Sequence, residues 1–239
     1  MNAPANKSPA TRPPATLPPA PPTPVWPLYR TLVGIGVFCG LLIVAAYSFT
    51  KDPIRRNKVV ARQRAVLQVI PGATQVGTFQ RAADGSYTLV ADDSEGDGLV
   101  FAGFDAQQQL LGVAIEARGS GYGDDLRVLY AYSFQQQAIV GLKVIETHET
   151  PGLGADVDTD PGYSANYRQL DVALGADQKA LAHPVEFVKQ GQKQQPWQID
   201  GITGATITTR GIATMVSKSV AATAPSLQAR VHDFRLPSK

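Results

Sequence analysis

From Thr31 to Phe49 the chain runs TLVGIGVFCGLLIVAAYSF, nineteen residues without a charge. No other feature restricts the fold as much, because such a run must leave water whole. As a helix it extends about 28 Å, close to the hydrocarbon thickness of a bilayer. Trp26 and Tyr29 precede it and Tyr47 falls near its end, as interfacial anchors do. A cleaved signal peptide is the competing reading. It fits less well: the run is long for a signal, thirty residues precede it, and Val44-Ala45-Ala46 is a poor cleavage site. The run is therefore read as an uncleaved single-pass anchor over 28–50. It holds no carboxylate, which argues against an ion path through this anchor. Cys39, inside it, is best explained by packing.

The flanks differ sharply. Residues 1–27 carry ten of the eighteen prolines and little apolar material, the composition of a disordered tail. Lys51 to Arg64 holds six basic residues against one acid, Asp52. Asp52-Pro53 reads as a helix start and Pro71-Gly72 as a stop, giving a basic juxtamembrane helix over 51–72 that is solvated or touches lipid headgroups. Over the whole chain the net charge is only +2, so nucleic acid is not indicated as a partner. One cysteine excludes internal disulfides and cysteine-rich metal or iron–sulfur sites. His148, His183 and His232 show no ligand spacing, so no metal site is expected.

From Ser86 the texture becomes that of short strands. Leu99–Phe104 and Leu110–Glu116 flank a Gln107-Gln108-Gln109 turn; Arg127–Ser133 and Ala138–Glu146 flank Gln135-Gln136-Gln137. Two hairpins that each close on Ile-Glu point to an antiparallel sheet, either as a pseudo-repeat or as two ordinary hairpins. Between them Arg118-Gly119-Ser120-Gly121-Tyr122-Gly123 reads as a loop whose backbone can approach a ligand. Tyr163–Leu170 reads as a short helix, Pro184–Lys189 as a strand and Lys189–Gln195 as a mobile loop. The segment after Pro225 shows no period and is expected to be loosely ordered.

Asp200-Gly201-Ile202-Thr203-Gly204-Ala205-Thr206-Ile207-Thr208-Thr209-Arg210 feeds an amphipathic helix, with Ile212, Met215, Val216, Ser219 and Val220 on one stripe. A helix N-terminus presents free N–H groups and favours an anion. Arg210 opposes the macrodipole there, a penalty that a bound anion would reverse. The plainer alternative makes Thr208 or Thr209 an ordinary cap and leaves Arg210 solvated. Gly72-Ala73-Thr74 repeats the tripeptide without the surrounding pattern, so the tripeptide alone means little.

The whole stretch resembles the flavinylation motif Asp-x-x-Ser/Thr-Gly-Ala-Ser/Thr of the FMN-binding domain family, and His148-Glu149-Thr150-Pro151-Gly152-Leu153-Gly154 resembles a second family signature. The resemblance spans roughly Leu32 to Val220. It implies an α+β fold, a transmembrane helix followed by an FMN-binding domain (73–224) with an antiparallel sheet and flanking helices, and then a tail (225–239). It implies FMN held by a phosphoester on Thr206. Thr203, Gly204, Ala205, Thr208 and Arg210 surround that linkage, and Glu149, Thr150, Gly152, Leu153, Gly154 and Tyr122 lie near the ring. Two branches of the family share both motifs: the G subunits of Rnf-type ion-translocating electron-transport complexes and the C subunits of sodium-translocating NADH:quinone reductases. His148 and Gly121-Tyr122-Gly123 resemble the former more. The implied role is a redox component of a translocase, with no substrate turnover of its own. Its implied partners are the other subunits of a membrane complex and a flavin transferase. An anchored flavin-dependent regulator and an anchored flavin-free binding module remain alternatives. The family places the flavin domain in the periplasm, at the inner membrane of a two-membrane bacterium. The excess of basic residues after the anchor points instead to the cytoplasm.

Overall fold

The structure, a computed structural model, describes residues 25–94, 96–123, 125–147 and 154–237. The chain divides into two compact units at Lys51/Asp52, where the apolar run gives way to the basic segment. One helix, α1 (Val25–Val69), runs through this division. Its N-terminal part is long and apolar enough to cross a membrane, and none of it is buried in protein. Two threonine hydroxyls at its ends bond within the helix: Thr31 Oγ1 donates to the Pro27 carbonyl at 2.7 Å and Thr50 Oγ1 to that of Ala46 at 2.8 Å. Such back-bonding suits a solvent that offers no partners.

The expected new start at Asp52-Pro53 is corrected, for Pro53 lies inside α1. A proline there forfeits one ladder bond but does not oblige the chain to leave the helix. The stop is where the sequence places it. Ile70 donates to the Val66 carbonyl at 3.0 Å, and Gly72 takes φ +83°, the left-handed cap that favours glycine.

Seven strands follow: β1 (Gln75–Arg81), β2 (Tyr87–Val90), β3 (Leu99–Phe104), β4 (Leu110–Ser120), β5 (Asp125–Ser133), β6 (Ala138–Glu146) and β7 (Leu170–Asp171). They form one antiparallel sheet in the order β2-β1-β3-β4-β5-β6-β7. Both expected hairpins are present. Each carries a register shift shortly ahead of its turn, at Gly103/Phe104 and at Ala131/Tyr132. Each turn also holds a glutamine at positive φ, Gln108 at 60° and Gln137 at 47°. In the first turn the Asp105 carboxylate accepts the N–H groups of Gln107 and Gln109, both at 2.8 Å.

Three boundaries differ from the sequence reading. The sheet begins at Gln75, not Ser86, because β1 lies between β2 and β3 and buries Gly77, Thr78 and Phe79 in succession rather than alternately. β4 continues to Ser120, so Arg118, Gly119 and Ser120 are strand rather than loop. The helix expected over Tyr163–Leu170 is the shorter α2 (Pro161–Ala165), started by the Asp160 carboxylate accepting from Tyr163 N–H at 2.8 Å. Two short parallel strands, β8 (Glu186–Val188) and β9 (Gln198–Asp200), precede the long α3 (Thr206–Ala229).

The sheet is covered on both faces. Ile212, Met215, Val216, Val220 and Leu227 of α3 pack on the face bearing Val113, Ile115, Val128 and Tyr130. Ala65, Val66 and Val69, at the end of α1, pack on the other with Phe101, Ala114, Leu129 and Ala131. Beyond Pro225 the described residues continue in regular structure, contrary to expectation. α3 passes through Pro225, and a short 3-10 turn (Val231–Asp233) then brings Phe234 into the core, 3% exposed, against Phe79 and Tyr87. The turn interrupts the helical period, which is why the sequence hides this packing.

Candidate functional site

β9 delivers Asp200 to a turn whose tightest point is Gly204 at φ +93°, and α3 begins at Thr206. The cap residue is Ala205, without a side-chain capping bond, so neither Thr208 nor Thr209 is the cap. The first bond of the helix runs from Thr209 N–H to the Ala205 carbonyl at 2.9 Å. The N–H groups of Thr206, Ile207 and Thr208 therefore precede the ladder. Thr206 is half-buried, and its hydroxyl makes only a long 3.5 Å contact with the Ile202 carbonyl. Thr203 and Gly204 are exposed, whereas Ala205 and Thr208 are buried. The Thr208 hydroxyl is enclosed without a hydrogen-bond partner. Thr209 Oγ1, by contrast, donates to the Ala205 carbonyl at 3.0 Å.

Arg210 lies one turn beyond Thr206 on the same side of α3. It is exposed, with its guanidinium carbon 5.1 Å from the centre of the Phe187 ring. That ring also packs against Gly201, where an added Cβ would fall 2.7 Å from it. The close approach requires glycine.

The turn is held from below by residues that carry no sequence signature. Asn166 brackets the Asp200 backbone, donating to its carbonyl at 3.0 Å and accepting from its N–H at 3.1 Å. The Asp200 carboxylate accepts from Gly191 N–H at 2.8 Å and Gln192 N–H at 3.3 Å. Gln190 then accepts from Thr203 N–H at 2.9 Å. Asp200 thus organises the Lys189–Gln195 loop instead of facing the helix end. Lys193, which donates to Asn166 at 3.3 Å, has its pKa lowered by burial. Beneath the first turn of α3 the Tyr163 and Tyr167 hydroxyls share a 2.8 Å bond, and Tyr163 reaches the Thr209 carbonyl at 3.5 Å. Burial pushes both phenols well above their ordinary range. The only available signal was the four-residue spacing of these tyrosines.

β4 meets α3 backbone to backbone. A Cβ on Gly211 would lie 2.4 Å from the Ser120 carbonyl oxygen, and one on Gly119 3.0 Å from Met215 Cε. This contact sets the Gly121-Tyr122-Gly123 loop beside the first turns of α3. Tyr122 there is 56% exposed. An open cleft of about 660 Å³ lies along the junction, lined by Glu116–Ser120 of β4 and by Ile207, Arg210, Gly211, Thr214 and Lys218 of α3, among others. The structure thus brings the Thr203–Arg210 turn and the end of β4 together. Glu149, Thr150, Gly152 and Leu153 lie outside the described residues. Gly154 is buried, and its carbonyl accepts from Val157 N–H at 3.4 Å. Among the described residues no group of side chains has the makings of a metal site.

Residues 121–221 match the FMN-binding domain family, an interval that contains the Tyr122 loop and the Thr206 turn. The chain is 24% identical over 190 residues to the G subunit of the ion-translocating oxidoreductase complex of Methanosarcina acetivorans, covering 80% of this chain and 89% of the relative. The corresponding G subunit of Vibrio cholerae is 27% identical over 183 residues, covering 75% and 80%. Among solved structures, Shewanella oneidensis NqrC superimposes with a TM-score of 0.54 at 20% identity, covering 68% of this chain and 91% of that one. The C subunit of the Na⁺-translocating NADH-quinone reductase of Parabacteroides distasonis does so with a TM-score of 0.58 at 20% identity, covering 75% and 96%. Residues 121–221 thus match the FMN-binding domain family, the domain shares the fold of these two solved structures, and the chain is similar in sequence to the G subunits.

Proposed function

We propose that this chain is a membrane-anchored electron-transfer protein that carries FMN in phosphoester linkage to Thr206. It serves a complex that couples electron transfer to ion translocation, as its G-subunit relatives are named for doing. The observation that carries the reading is the Thr206 turn. A nearly free hydroxyl stands in the first turn of a 24-residue helix, beside three N–H groups ahead of the ladder, with Arg210 one turn on. That donor set fits a phosphoryl group. The neighbouring cleft offers room beside it, and Thr208 keeps one unspent hydroxyl below.

FMN, when bound, supplies reversible electron acceptance; the protein's part is placement and tuning. In this reading the α3 N–H groups and Arg210 hold the phosphate, and the Tyr122 loop and the end of β4 border the ring. Thr203, Gly204 and Ala205 give the turn its shape, which a flavin transferase recognises together with Asp200. Glu149, Thr150, Gly152, Leu153 and Gly154 complete the ring site. A covalent tie removes dependence on free FMN, which a noncovalent flavin would need above its dissociation constant. Attachment through the phosphate leaves the redox ring unaltered.

The intact mass of the full chain, with fluorescence of the denatured band, tests the reading. Thr206→Ala should abolish covalent flavin and Thr206→Ser should keep part of it. Thr74→Ala should change nothing, for Thr74 is built into the sheet, its N–H donating to the Phe104 carbonyl at 2.8 Å. Flavin that persists on Thr206→Ala, or that maps to Thr203 or Thr208, overturns the assignment. A flavin-loaded chain recovered without partner subunits in mild detergent would favour the regulatory alternative.

A further inference from the structure

Side chains alternate along β4 and β5. Ala117 and Val128 join the α3 side, and Glu116, Arg118 and Arg127 turn to the face covered by α1. There a groove of about 600 Å³ runs between the Lys58–Ala65 turns of α1 and strands β3 to β6. Its floor is apolar, with Leu99, Phe101 and Ala65. Its rim is basic: Lys58, Arg62, Arg118, Arg127 and Lys143 stand against Glu116 and Asp97, five cations to two carboxylates among the described residues.

Two features of Arg127 show that this charge is not fully settled internally. Arg118 and Arg127 are register partners across β4 and β5, and like charges placed directly opposite on one face are destabilising. Arg127 Nη2 holds Glu146 at 2.8 Å, yet Arg127 Nε is enclosed and has no acceptor. A buried donor left unmade costs its full desolvation. The nearby groups do not cure this. Glu116 stands 3.8 Å from Arg62 and 4.0 Å from Arg118, beyond hydrogen-bond distance, and Lys143 donates at 2.6 Å to the neutral Gln68.

We propose that this groove binds a phosphate-bearing anion whose oxygens accept from the accessible guanidinium nitrogens of Arg118 and Arg127 and separate the pair electrostatically. A phosphate group brings several acceptor oxygens to planar guanidinium donors and more charge than one carboxylate. The apolar floor takes the non-phosphate part of the molecule. The same chemistry is offered by an anionic phospholipid headgroup and by a soluble organophosphate. Glu116 and Arg118 border both this groove and the cleft beside α3, whereas Lys58, Arg127 and Lys143 line this groove and not that cleft, so variants at Arg127 and Lys143 separate the two sites.

The full chain in a zwitterionic detergent is tested in two arms. Native mass spectrometry with equal phosphatidylglycerol and phosphatidylcholine reads lipid retention; pyrophosphate titration at constant ionic strength reads the melting temperature. The groove variants are Arg127→Lys, which keeps the charge and removes the guanidinium, and Lys143→Gln. The control is Lys51→Gln with Arg56→Gln, basic residues of α1 that do not line the groove. A preference of about ten-fold for phosphatidylglycerol, lost in the groove variants and kept in the control, assigns the site to a lipid. A pyrophosphate-induced rise in melting temperature with the same pattern assigns it to a soluble anion. Neither effect in the native chain, an effect unchanged in both groove variants, or one lost equally in the control overturns the proposal.

Discussion

A methyl group on Gly204 is the smallest change that tests the turn ahead of α3. At φ +93° it forces a β-carbon into a region disfavoured by about 1–2 kcal/mol, and nothing stands near to compensate. Gly204→Ala should lower covalent flavin, read by in-gel fluorescence, while shifting the melting temperature by only a few degrees. For Arg210 the charge decides. If it faces a phosphate, Arg210→Glu should reduce flavin incorporation more than Arg210→Ala, because an added like charge costs more than a deleted partner at an exposed site. Equal incorporation would leave Arg210 as no more than the Phe187 ring's partner. At this scale the sequence singles out Thr206 and Asp200 by pattern and leaves Asn166 and Gln190 unmarked. Thr206 is distinguishable from Thr74 by pattern alone, since only one tripeptide precedes an amphipathic helix. Asn166 clamps Asp200 from a distant part of the sequence with no period or motif to announce it, and the Tyr163/Tyr167 pair has only its four-residue spacing.

Between elements, the most exacting contact is that of α3 with the end of β4. Gly211→Ala would press a carbon against the Ser120 carbonyl from 2.4 Å, so α3 must shift outward. The expected cost is about 1–3 kcal/mol, with a lower melting temperature and reduced flavin incorporation. Gly141→Ala does the same on the other face, where the Val69 carbonyl would meet the new carbon. It should destabilise equally but spare the flavin, a separation that stability and fluorescence measured together would reveal. Element existence was legible wherever one physical rule acted alone: the apolar run, the two glutamine turns, and the helix after Thr206. It failed where two rules met. Pro53 and Pro225 look like punctuation yet lie inside α1 and α3. β1 lacks alternation because it is buried in succession along its middle, and the Gly-rich segment before Tyr122 is strand for three residues.

For the whole molecule, alkaline pH and membrane sidedness are the informative variables. Tyr130, wholly enclosed and bonded to Ser219 at 2.8 Å, has its phenol pushed up to about 12 by burial, and burial takes Tyr132 to about 12 as well. A folded pKa above the unfolded value means that the unfolded chain sheds the proton first. This stabilisation is therefore complete below about pH 10 and lost as pH rises toward about 12. The melting temperature should fall steeply over that window, and Tyr130→Phe should flatten the fall. On sidedness, we expect the flavin domain in the periplasm despite the six basic residues of Lys51–Arg64. Long domains translocate largely regardless of flanking charge. Two of the six, Arg55 and Arg62, also engage the folded domain, Arg55 meeting Asp93 at 2.9 Å. With Cys39→Ala as background, Gln107→Cys in the exposed first turn should react with a membrane-impermeant thiol reagent in intact cells with a permeabilised outer membrane. Labelling only after inner-membrane lysis would put the domain in the cytoplasm.

Phe234 has a consequence for the order of events during synthesis. Its ring closes over Phe79 and Tyr87, and Asp233 accepts the Tyr87 N–H at 3.0 Å, so residues translated late seal the strands translated first. The nascent chain can lay down β1 and β2 early, but their inner surface stays open until more than 140 further residues have emerged. The domain is thus a late-committing folder, dependent on its last helix and the turn beyond it. A ribosome that stops at Ala229 releases a sheet with an uncovered aromatic corner, a substrate for proteases and chaperones.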